Sequence, residues 1–287
     1  MSFRSLALAA ILAVAGVASA ADRDGSAAEQ LGWKISLQAW TCHHTTLAET
    51  LAVCKTVGIK YIEFYPGQPV GGGVDGKVDH GSSPEVRTKI KAMLAEAGVT
   101  PVAYGVVGLG KDEAGSRKVF EFAKDFGLIS ITSEPPEDAF DTLDKLVKEF
   151  DIRVAIHNHP KDSHYWHPDT VLKAIKGHDP RIGSCADTGH WPRSEMAAVD
   201  CMKKLEGHIQ SSHLKDTDKI GKGARDVVFG TGANDIPGQL AEFKRQNFKG
   251  AISIEYERDK KGEELIADLK VMVALVDKTA AELVKAK

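Results

Sequence analysis

The sequence predicts an α/β protein built as a single (β/α)8 TIM barrel. Eight short runs rich in β-branched and aromatic residues are each followed by an amphipathic stretch, which favours parallel strands joined by right-handed crossovers. Eight such units close a barrel. An open doubly wound sheet would usually carry a GxGxxG turn after its first strand, and no such turn follows residues 33–40. The length of 287 residues suits one large domain of this kind.

The predicted elements alternate along the chain. The expected strands are residues 33–40, 61–65, 100–106, 128–133, 153–157, 182–186, 209–213 and 251–256. The expected helices are residues 46–57, 84–97, 114–126, 139–150, 169–175, 194–205, 236–246 and 263–280. Capping residues support these boundaries. Ser83-Pro84-Glu85 is typical of a helix N-terminus, and Gly58 and Gly98 follow helix ends that need a left-handed residue.

The N-terminal segment predicts export. Arg4 precedes an apolar run over residues 6–17, and the small residues Ala18 and Ala20 match the pattern that a signal peptidase cuts. The run is too short for a comfortable membrane span. We therefore expect a signal peptide over residues 1–20, a flexible leader over 21–32 and the barrel with its C-terminal helix over 33–287. The mature protein would be periplasmic or secreted, with no membrane association after cleavage.

Composition narrows the choice of partners. The formal net charge is −3, which gives no basic face for nucleic acid, so a nucleic-acid partner is not expected. The four cysteines form no CxxC pair, which argues against a zinc finger. They are interpreted as small core residues, with one disulfide as the alternative. The sequence leaves the oligomeric state open.

Acidic, imidazole and ammonium side chains cluster where five consecutive predicted strands end. In a barrel these ends converge on one face, which is where active sites are built. The residues are Glu134, His157, His159, Asp187, His190, His213, Lys215, Glu255 and Glu257.

Three of these residues point to a metal ion. Asp187, His213 and Glu255 end or directly follow apolar strands, where an unpaired charge would be costly. Carboxylates combined with imidazoles and no thiolate suit Mn2+, Co2+, Mg2+ or Zn2+. The sequence therefore predicts one divalent metal ion at the mouth of the barrel.

The same residues carry a family resemblance. Asp187-Thr188-Gly189-His190, His213-Leu214-Lys215-Asp216 and Ile254-Glu255-Tyr256-Glu257 resemble motifs of the xylose isomerase-like TIM barrels, which include sugar phosphate isomerases and epimerases, inosose dehydratases and endonuclease IV. The resemblance covers roughly residues 33–257. It implies a metal held by Asp187, His213, Glu255 and one further glutamate from the middle of the barrel.

The sequence departs from the family at that further glutamate. Epimerases usually carry it at the end of the fifth strand, where this chain has His157-Asn158-His159. Either His157 takes the ligand position or Glu134, from the neighbouring strand, supplies the carboxylate. The expected metal ligands are Glu134, Asp187, His213 and Glu255, with His157 as the alternative to Glu134.

The resemblance also implies roles in proton transfer and in substrate binding. Glu255 is the first candidate for the base, with Glu134 or His157 facing it, and Lys215 is a candidate to stabilise enolate charge unless it pairs with Asp216. The expected substrate-binding residues are His190, His159, Tyr104 and Trp166. The two aromatic residues would stack on a sugar ring or simply pack.

The leading hypothesis is a metal-dependent isomerase or epimerase that acts beside the carbonyl of a sugar or keto-sugar. A lyase or dehydratase acting on a keto-sugar or oxidised glycoside is the alternative, because an imidazole at position 157 also suits elimination. A non-catalytic sugar-binding barrel is more remote. A nuclease is disfavoured, because the second and third strands end in Glu63, Tyr65 and Tyr104 and lack the histidines that a three-metal site needs.

Overall fold

The computed structural model describes residues 23–286, in which eight parallel strands close into a barrel. The strands of the described chain are β1 (Trp33–Gln38), β2 (Tyr61–Phe64), β3 (Gln68–Gly71), β4 (Val74–Val78), β5 (Thr100–Tyr104), β6 (Ser130–Ser133), β7 (Arg153–His157), β8 (Ile182–Asp187), β9 (Ile209–Leu214), β10 (Asp216–Thr217), β11 (Asp226–Val227) and β12 (Gly250–Ile254). Around the barrel the order is β1-β12-β9-β8-β7-β6-β5-β2. The predicted fold is confirmed, and the eight predicted strands are the eight strands of this barrel.

Helices connect the barrel strands. They are α1 (Ser26–Gln30), α2 (Leu47–Val57), α3 (Pro84–Ala97), α4 (Glu113–Asp125), α5 (Phe140–Phe150), α6 (Pro168–Ala174), α7 (His190–Arg193), α8 (Ala198–Lys204), α9 (Ile236–Arg245) and α10 (Gly262–Lys285). Seven of the eight predicted helices correspond to one helix each. The predicted helix over residues 194–205 is shorter, because the chain first forms α7 and then restarts at Ala198.

Local chemistry explains several helix ends. Thr46 and Glu49 form a reciprocal capping box at the start of α2, and the Ser83 side chain accepts a hydrogen bond from the Val86 N–H at the start of α3. Gly58 and Gly98 end these two helices with φ of 75° and 66°, a conformation that residues with a Cβ rarely adopt.

The N-terminal leader differs from the expectation. A flexible segment was expected over residues 21–32, but Ser26–Gln30 form a helix, and the Arg23 guanidinium donates hydrogen bonds to Asp277 at 2.8 and 2.9 Å. These contacts tie the segment to α10. The polar composition of this segment predicted flexibility. The segment is nevertheless ordered, because Arg23 forms an ion pair with Asp277 on the distant helix α10. The predicted signal peptide over residues 1–20 lies outside the described residues and stays a prediction.

Two short hairpins were not predicted. β3 pairs with β4 just after β2, and β10 pairs with β11 just after β9. All four cysteines are buried and free, in agreement with their interpretation as core residues. Within residues 23–286, no helix combines the length and hydropathy that crossing a bilayer would require.

The register of the parallel strands places the predicted site residues side by side at one end of the barrel. Asp187 at the end of β8 pairs with His213 on β9, and His213 in turn lies beside Ser253 on β12. His157 at the end of β7 lies beside Cys185 on β8. Parallel strands with this register place their last residues at the same mouth of the barrel.

Candidate functional site

A pocket of about 400 Å3 opens where the barrel strands end. Its walls include six of the side chains singled out in the sequence: His157, His159, His190, His213, Glu255 and Glu257. A volume of this size falls within the range of small-molecule binding sites. The structure therefore brings most of the predicted residues together around one cavity.

Asp187 lies at the centre of the polar cluster and is fully buried. Its Oδ1 accepts the backbone N–H groups of Gly189 and His190, both at 2.9 Å, which holds the carboxylate in one orientation. Its Oδ2 faces His157 Nε2 at 3.3 Å and His213 Nδ1 at 3.6 Å. These three ligand atoms lie within 4.8 Å of one another, a spacing that a single ion can bridge.

Glu255 extends this group through His213. The distance between Glu255 Oε2 and His213 Nδ1 is 3.1 Å, and both atoms are buried. Neither makes a well-aligned hydrogen bond within the described part of the chain, although Lys215 Nζ lies 2.9 Å from Glu255 Oε2. His213 Nε2 lies 3.1 Å from Glu63 Oε1, and because a carboxylate accepts hydrogen bonds, Nε2 is the donor of this contact. His213 Nδ1 therefore faces the oxygens of Asp187 and Glu255. Burial alone would lower the pKa of His213, but Glu63, Glu255 and other nearby groups raise it well above its usual value. Carboxylate oxygens combined with imidazole nitrogens form a donor set that suits Mn2+, Co2+, Mg2+ or Zn2+.

Lys215 is the buried cation of this cluster. Its Nζ lies 3.1 Å from Asp187 Oδ2, 2.9 Å from Glu255 Oε2 and 3.1 Å from Glu257 Oε2, and the side chain is fully buried. Burial alone would lower the pKa of Lys215, but the three carboxylates raise it well above its usual value. The ammonium in turn helps to hold the pKa of Glu255 below its usual value against the opposing effect of burial.

The alternative pairing of Lys215 with Asp216 is not what the structure shows. The Asp216 carboxylate accepts backbone N–H groups from Thr217, Gly230, Gly232 and Asn234, at 2.9, 2.8, 3.1 and 3.1 Å. Asp216 therefore fastens the loop after β11 to the end of β9.

His157 and Glu134 are not equivalent in the structure. His157 is buried between two carboxylates, with Nε2 facing Asp187 and Nδ1 lying 3.2 Å from Glu134 Oε1. Burial alone would lower the pKa of His157, but the hydrogen bonds with Asp187 and Glu134 raise it to about 9.

Glu134 is engaged by two imidazoles. It contacts His159 Nδ1 as well as His157, and these two partners lower its pKa to about 2 although burial alone would raise it. The expected grouping of Glu134 with Asp187, His213 and Glu255 is thus not what the structure shows. The reason is geometric: the ring of His157 lies between the Glu134 carboxylate and Asp187.

His190 is a further imidazole beside Asp187, and its ring centroid lies 5.5 Å from that of His157. Its Nε2 lies 3.6 Å from Asp187 Oδ2, and its Nδ1 accepts a hydrogen bond from Arg193 Nη1 at 2.8 Å. Burial lowers the pKa of His190 well below its usual value, so the ring is neutral. Arg193 also pairs with Asp226 and with Glu257, and thus ties His190 to the hairpin formed by β10 and β11.

Two predicted substrate-binding residues do not line the pocket. Tyr104 is fully buried, and its hydroxyl lies 3.2 Å from His80 Nδ1. Trp166 packs under the ammonium of Lys161, which lies 5.8 Å from its ring centroid. An aromatic side chain that the sequence reasoning overlooked, Trp40, does line the pocket and is 42% exposed.

Glu63 and Arg193 were also missed as site residues. Glu63 was noted only as a strand residue that cannot serve a three-metal nuclease site. A glutamate inside the apolar run Tyr61–Phe64 was a signal, because a buried carboxylate requires a partner. Arg193 carried no comparable signal in the sequence. Its side chain contacts His190 nearby, but its carboxylate partners Asp226 and Glu257 lie 33 and 64 positions away along the chain.

Comparison with known proteins shows which family the chain belongs to. A family model described as the xylose isomerase-like TIM barrel matches residues 51–275. The chain belongs to the xylose isomerase-like TIM barrel family. No curated protein matches the sequence.

Solved structures of this fold include a putative uncharacterised protein from Parabacteroides distasonis. It is 35% identical, with a TM-score of 0.69 over 86% of this chain and 99% of the other. A sugar phosphate isomerase/epimerase from the same organism is 18% identical, with a TM-score of 0.65 over 96% of this chain and 100% of the other. A xylose isomerase-like TIM barrel protein from Mycobacterium smegmatis, solved in complex with magnesium, is 12% identical, with a TM-score of 0.69 over 93% and 99% of the two chains.

Proposed function

We propose that this protein is a divalent-metal-dependent isomerase or epimerase that moves a proton at the carbon beside the carbonyl of a sugar or keto-sugar. The observation that carries the proposal is the convergence of buried acceptor atoms from Asp187, His213 and Glu255 at the pocket. Buried acceptors that face one another are costly unless a cation or a proton lies between them. The magnesium bound by the family member from Mycobacterium smegmatis is in keeping with this interpretation.

Asp187, His213 and Glu255 would hold the metal, with His157 as the fourth ligand. The placement of His157 Nε2 beside Asp187 favours it over Glu134, which the sequence had slightly preferred. Glu134 then accepts a hydrogen bond from the Nδ1–H of His157 and fixes the orientation of its ring, as outer carboxylates commonly do for histidine ligands. A divalent ion bound here supplies Lewis acidity that polarises the substrate carbonyl.

Glu255 is our candidate for the base. It lines the pocket while only 5% of its surface is exposed, so it can reach a bound substrate in a site from which most water is excluded. Lys215 keeps it ionised at neutral pH, so the carboxylate is in the form that can accept a proton. The Lys215 ammonium also lies near enough to offset negative charge that develops on the substrate.

Carbon–oxygen lyase activity is the second candidate, and the pair formed by His159 and Glu134 favours it. His159 lines the pocket with 48% of its side chain exposed, while its Nδ1 contacts the Glu134 carboxylate. A histidine oriented by a carboxylate is a competent general acid, and elimination requires a proton for the departing oxygen. Proton transfer at Glu255 would be common to both reactions.

The proposed substrate is a free sugar, keto-sugar or oxidised glycoside met outside the cytoplasm. This follows from the predicted signal peptide over residues 1–20 and a periplasmic or secreted location. Trp40 and Tyr65 offer aromatic surface in the pocket wall, and their rings contact each other edge to face with centroids 5.1 Å apart. Aromatic rings suit the apolar faces of a sugar.

Metal content is the first test. We would measure bound metals in the purified protein by inductively coupled plasma mass spectrometry, beside Glu255→Gln and the control Glu137→Gln, whose side chain is 55% exposed. About one divalent ion per chain in the wild type and control, and less in Glu255→Gln, is expected. A wild type that takes up no ion after loading with manganese, cobalt, magnesium or zinc would refute the proposal.

Hydrogen exchange tests the chemistry. Wild-type protein incubated with keto-sugars in deuterium oxide should introduce deuterium beside the carbonyl, and Glu255→Gln should not. Isomerised product would identify an isomerase or epimerase, whereas release of water or an alcohol would identify the lyase. Metal-loaded wild type that exchanges no hydrogen in a broad panel of keto-sugars would contradict both candidates and leave sugar binding without catalysis.

A further inference from the structure

Glu63 is a carboxylate inside the barrel that the proposed reaction does not use. It belongs to β2, between Ile62 and Phe64, and its side chain is fully buried. Its Oε1 accepts a hydrogen bond from the Thr132 hydroxyl at 2.8 Å, and its Oε2 accepts one from the Ser253 hydroxyl at 2.5 Å. Three strands therefore hold this carboxylate at one point in the interior.

His213 is the ionisable partner of Glu63 in residues 23–286. Its Nε2 lies 3.1 Å from Glu63 Oε1, and both side chains are buried. A carboxylate with no lysine or arginine beside it is expensive to bury, so packing alone is a poor reason to place one here. A glutamine or a leucine would fill the same space at lower cost.

The contact decides which nitrogen of His213 would keep its proton when a cation takes the place of the other one. Both hydroxyl groups donate to Glu63, so its ionised carboxylate has only acceptor capacity left for the imidazole. Nε2 must then be the protonated nitrogen. Nδ1 faces Glu255 Oε2 at 3.1 Å and Asp187 Oδ2 at 3.6 Å, and it has no hydrogen-bond partner among the described residues.

We infer that Glu63 is a positioning residue that holds His213 with its Nε2 protonated and presents its Nδ1 to the divalent metal. The inference rests on the proposed function, since the metal site is part of that proposal. Thr132 and Ser253 fix the carboxylate, the carboxylate fixes the ring, and the ring directs its lone pair between Asp187 and Glu255. The Ser253 hydroxyl is itself held by Ser36 Oγ at 2.8 Å, so the arrangement is continuous across the barrel interior.

Zinc affinity and the ring proton of His213 test this role together. The variant is Glu63→Gln, which keeps the shape of the side chain and removes its charge. The control is Glu242→Gln, because Glu242 on α9 is 4% exposed and bonds to Arg245 and Gln246, away from the pocket. Zinc dissociation constants come from competition with a chelator. Spectra of the zinc-loaded protein with 15N-labelled histidine report the Nε2–H of His213, assigned by its loss in His213→Gln.

We expect Glu63→Gln to bind zinc about 10- to 100-fold more weakly than the wild type, as outer-carboxylate changes typically do. The Nε2–H proton should move upfield and exchange faster with water, because a bond to a neutral amide is weaker than one to a carboxylate. Glu242→Gln should match the wild type in both measurements. Zinc affinity within twofold of the wild type, or an unchanged ring-proton signal, would overturn the inference.

A second variant, Thr132→Val, tests the same role if Glu63→Gln does not fold. Thr132→Val keeps the volume of the side chain but deprives Glu63 of one hydroxyl donor, so the ring-proton signal of His213 should shift and zinc binding should weaken less than in Glu63→Gln. An unchanged signal in a folded Thr132→Val would also contradict the role. Wild-type protein that binds no zinc or other divalent ion refutes the proposed function itself, and this is known before any variant is compared.

Discussion

Replacing Lys215 by methionine should destabilise the metal-free protein strongly. The Lys215 ammonium is fully buried and lies within 3.1 Å of oxygens from Asp187, Glu255 and Glu257. Removing one partner of a buried ion pair typically costs about 3–5 kcal/mol, because the remaining charge is left uncompensated. For a chain of this size, about 2–4 °C of melting temperature accompanies each kcal/mol, so we expect a loss of about 6–20 °C.

The assay is thermal unfolding in a chelator, followed by the same measurement with saturating magnesium or manganese. The matched control is Lys111→Met, because Lys111 pairs with Asp138 at 3.0 Å but its side chain is 75% exposed. An exposed pair of this kind contributes about 0–1 kcal/mol. A divalent ion should recover more stability in Lys215→Met than in the wild type, since it replaces the lost positive charge beside Asp187 and Glu255.

Two results would refute this reasoning about Lys215. Lys215→Met that melts within a few degrees of Lys111→Met would show that the buried carboxylates do not depend on the ammonium. Equal stabilisation of Lys215→Met and wild type by the metal would show that the ion does not bind beside these carboxylates.

Three further predictions concern the pH dependence of stability through His157, the loop held by Asp216, and Trp40 in the pocket wall. In metal-free protein the hydrogen bonds of His157 raise its pKa from 6.5 to about 9, so they stabilise the fold below about pH 6.5 and this stability is lost as the pH rises through about 9. At about 1.4 kcal/mol per pKa unit, the loss in the free energy of unfolding is about 3 kcal/mol. Urea unfolding in a chelator between pH 6 and 10 should show this loss in the wild type but not in His157→Gln. An equal pH dependence of the free energy of unfolding in the two proteins would contradict the prediction. Asp216→Ala should lower the free energy of unfolding, measured in urea, by at least about 2 kcal/mol, because four backbone N–H groups lose their acceptor. The control Asp218→Ala frees one exposed N–H and should lower it by less than about 1 kcal/mol. Similar losses in the two variants would contradict the role of Asp216 in holding the loop after β11. Trp40→Ala should weaken sugar binding about twofold to tenfold by calorimetry, while Trp166→Ala, outside the pocket lining, should leave it unchanged; the reverse result would place the sugar elsewhere.

The fold could be predicted from the sequence because its signals are local. Alternation of short apolar runs with amphipathic segments depends on each element burying one face, and a capping pair such as Thr46 and Glu49 acts within four residues. The same reasoning placed Asp187, His213 and Glu255 at one mouth, since the ends of parallel strands converge in a barrel. The leader was the exception, because its order depends on the contact between Arg23 and Asp277, 254 residues apart.

Contacts within the site could not be predicted in this way. The sequence left His157 and Glu134 as alternatives for the fourth ligand, and our proposal of His157 rests on the placement of its ring beside Asp187. Tyr104 and Trp166 were expected at the substrate, but Tyr104 at the end of β5 is buried in the core, and Trp166 lies against Lys161 in the loop before α6.

By itself, then, the sequence determined the barrel, the face that carries the site and the kinds of atom available to hold a metal. The tertiary structure alone decided which atoms meet: Lys215 with three carboxylates rather than with Asp216, and Glu63 with His213 across 150 positions of the chain. The physical reason is the range of the interactions. Periodicity and capping act over one or two turns, whereas a hydrogen bond across the barrel depends on strand register and ring orientation, which become defined only when the barrel closes.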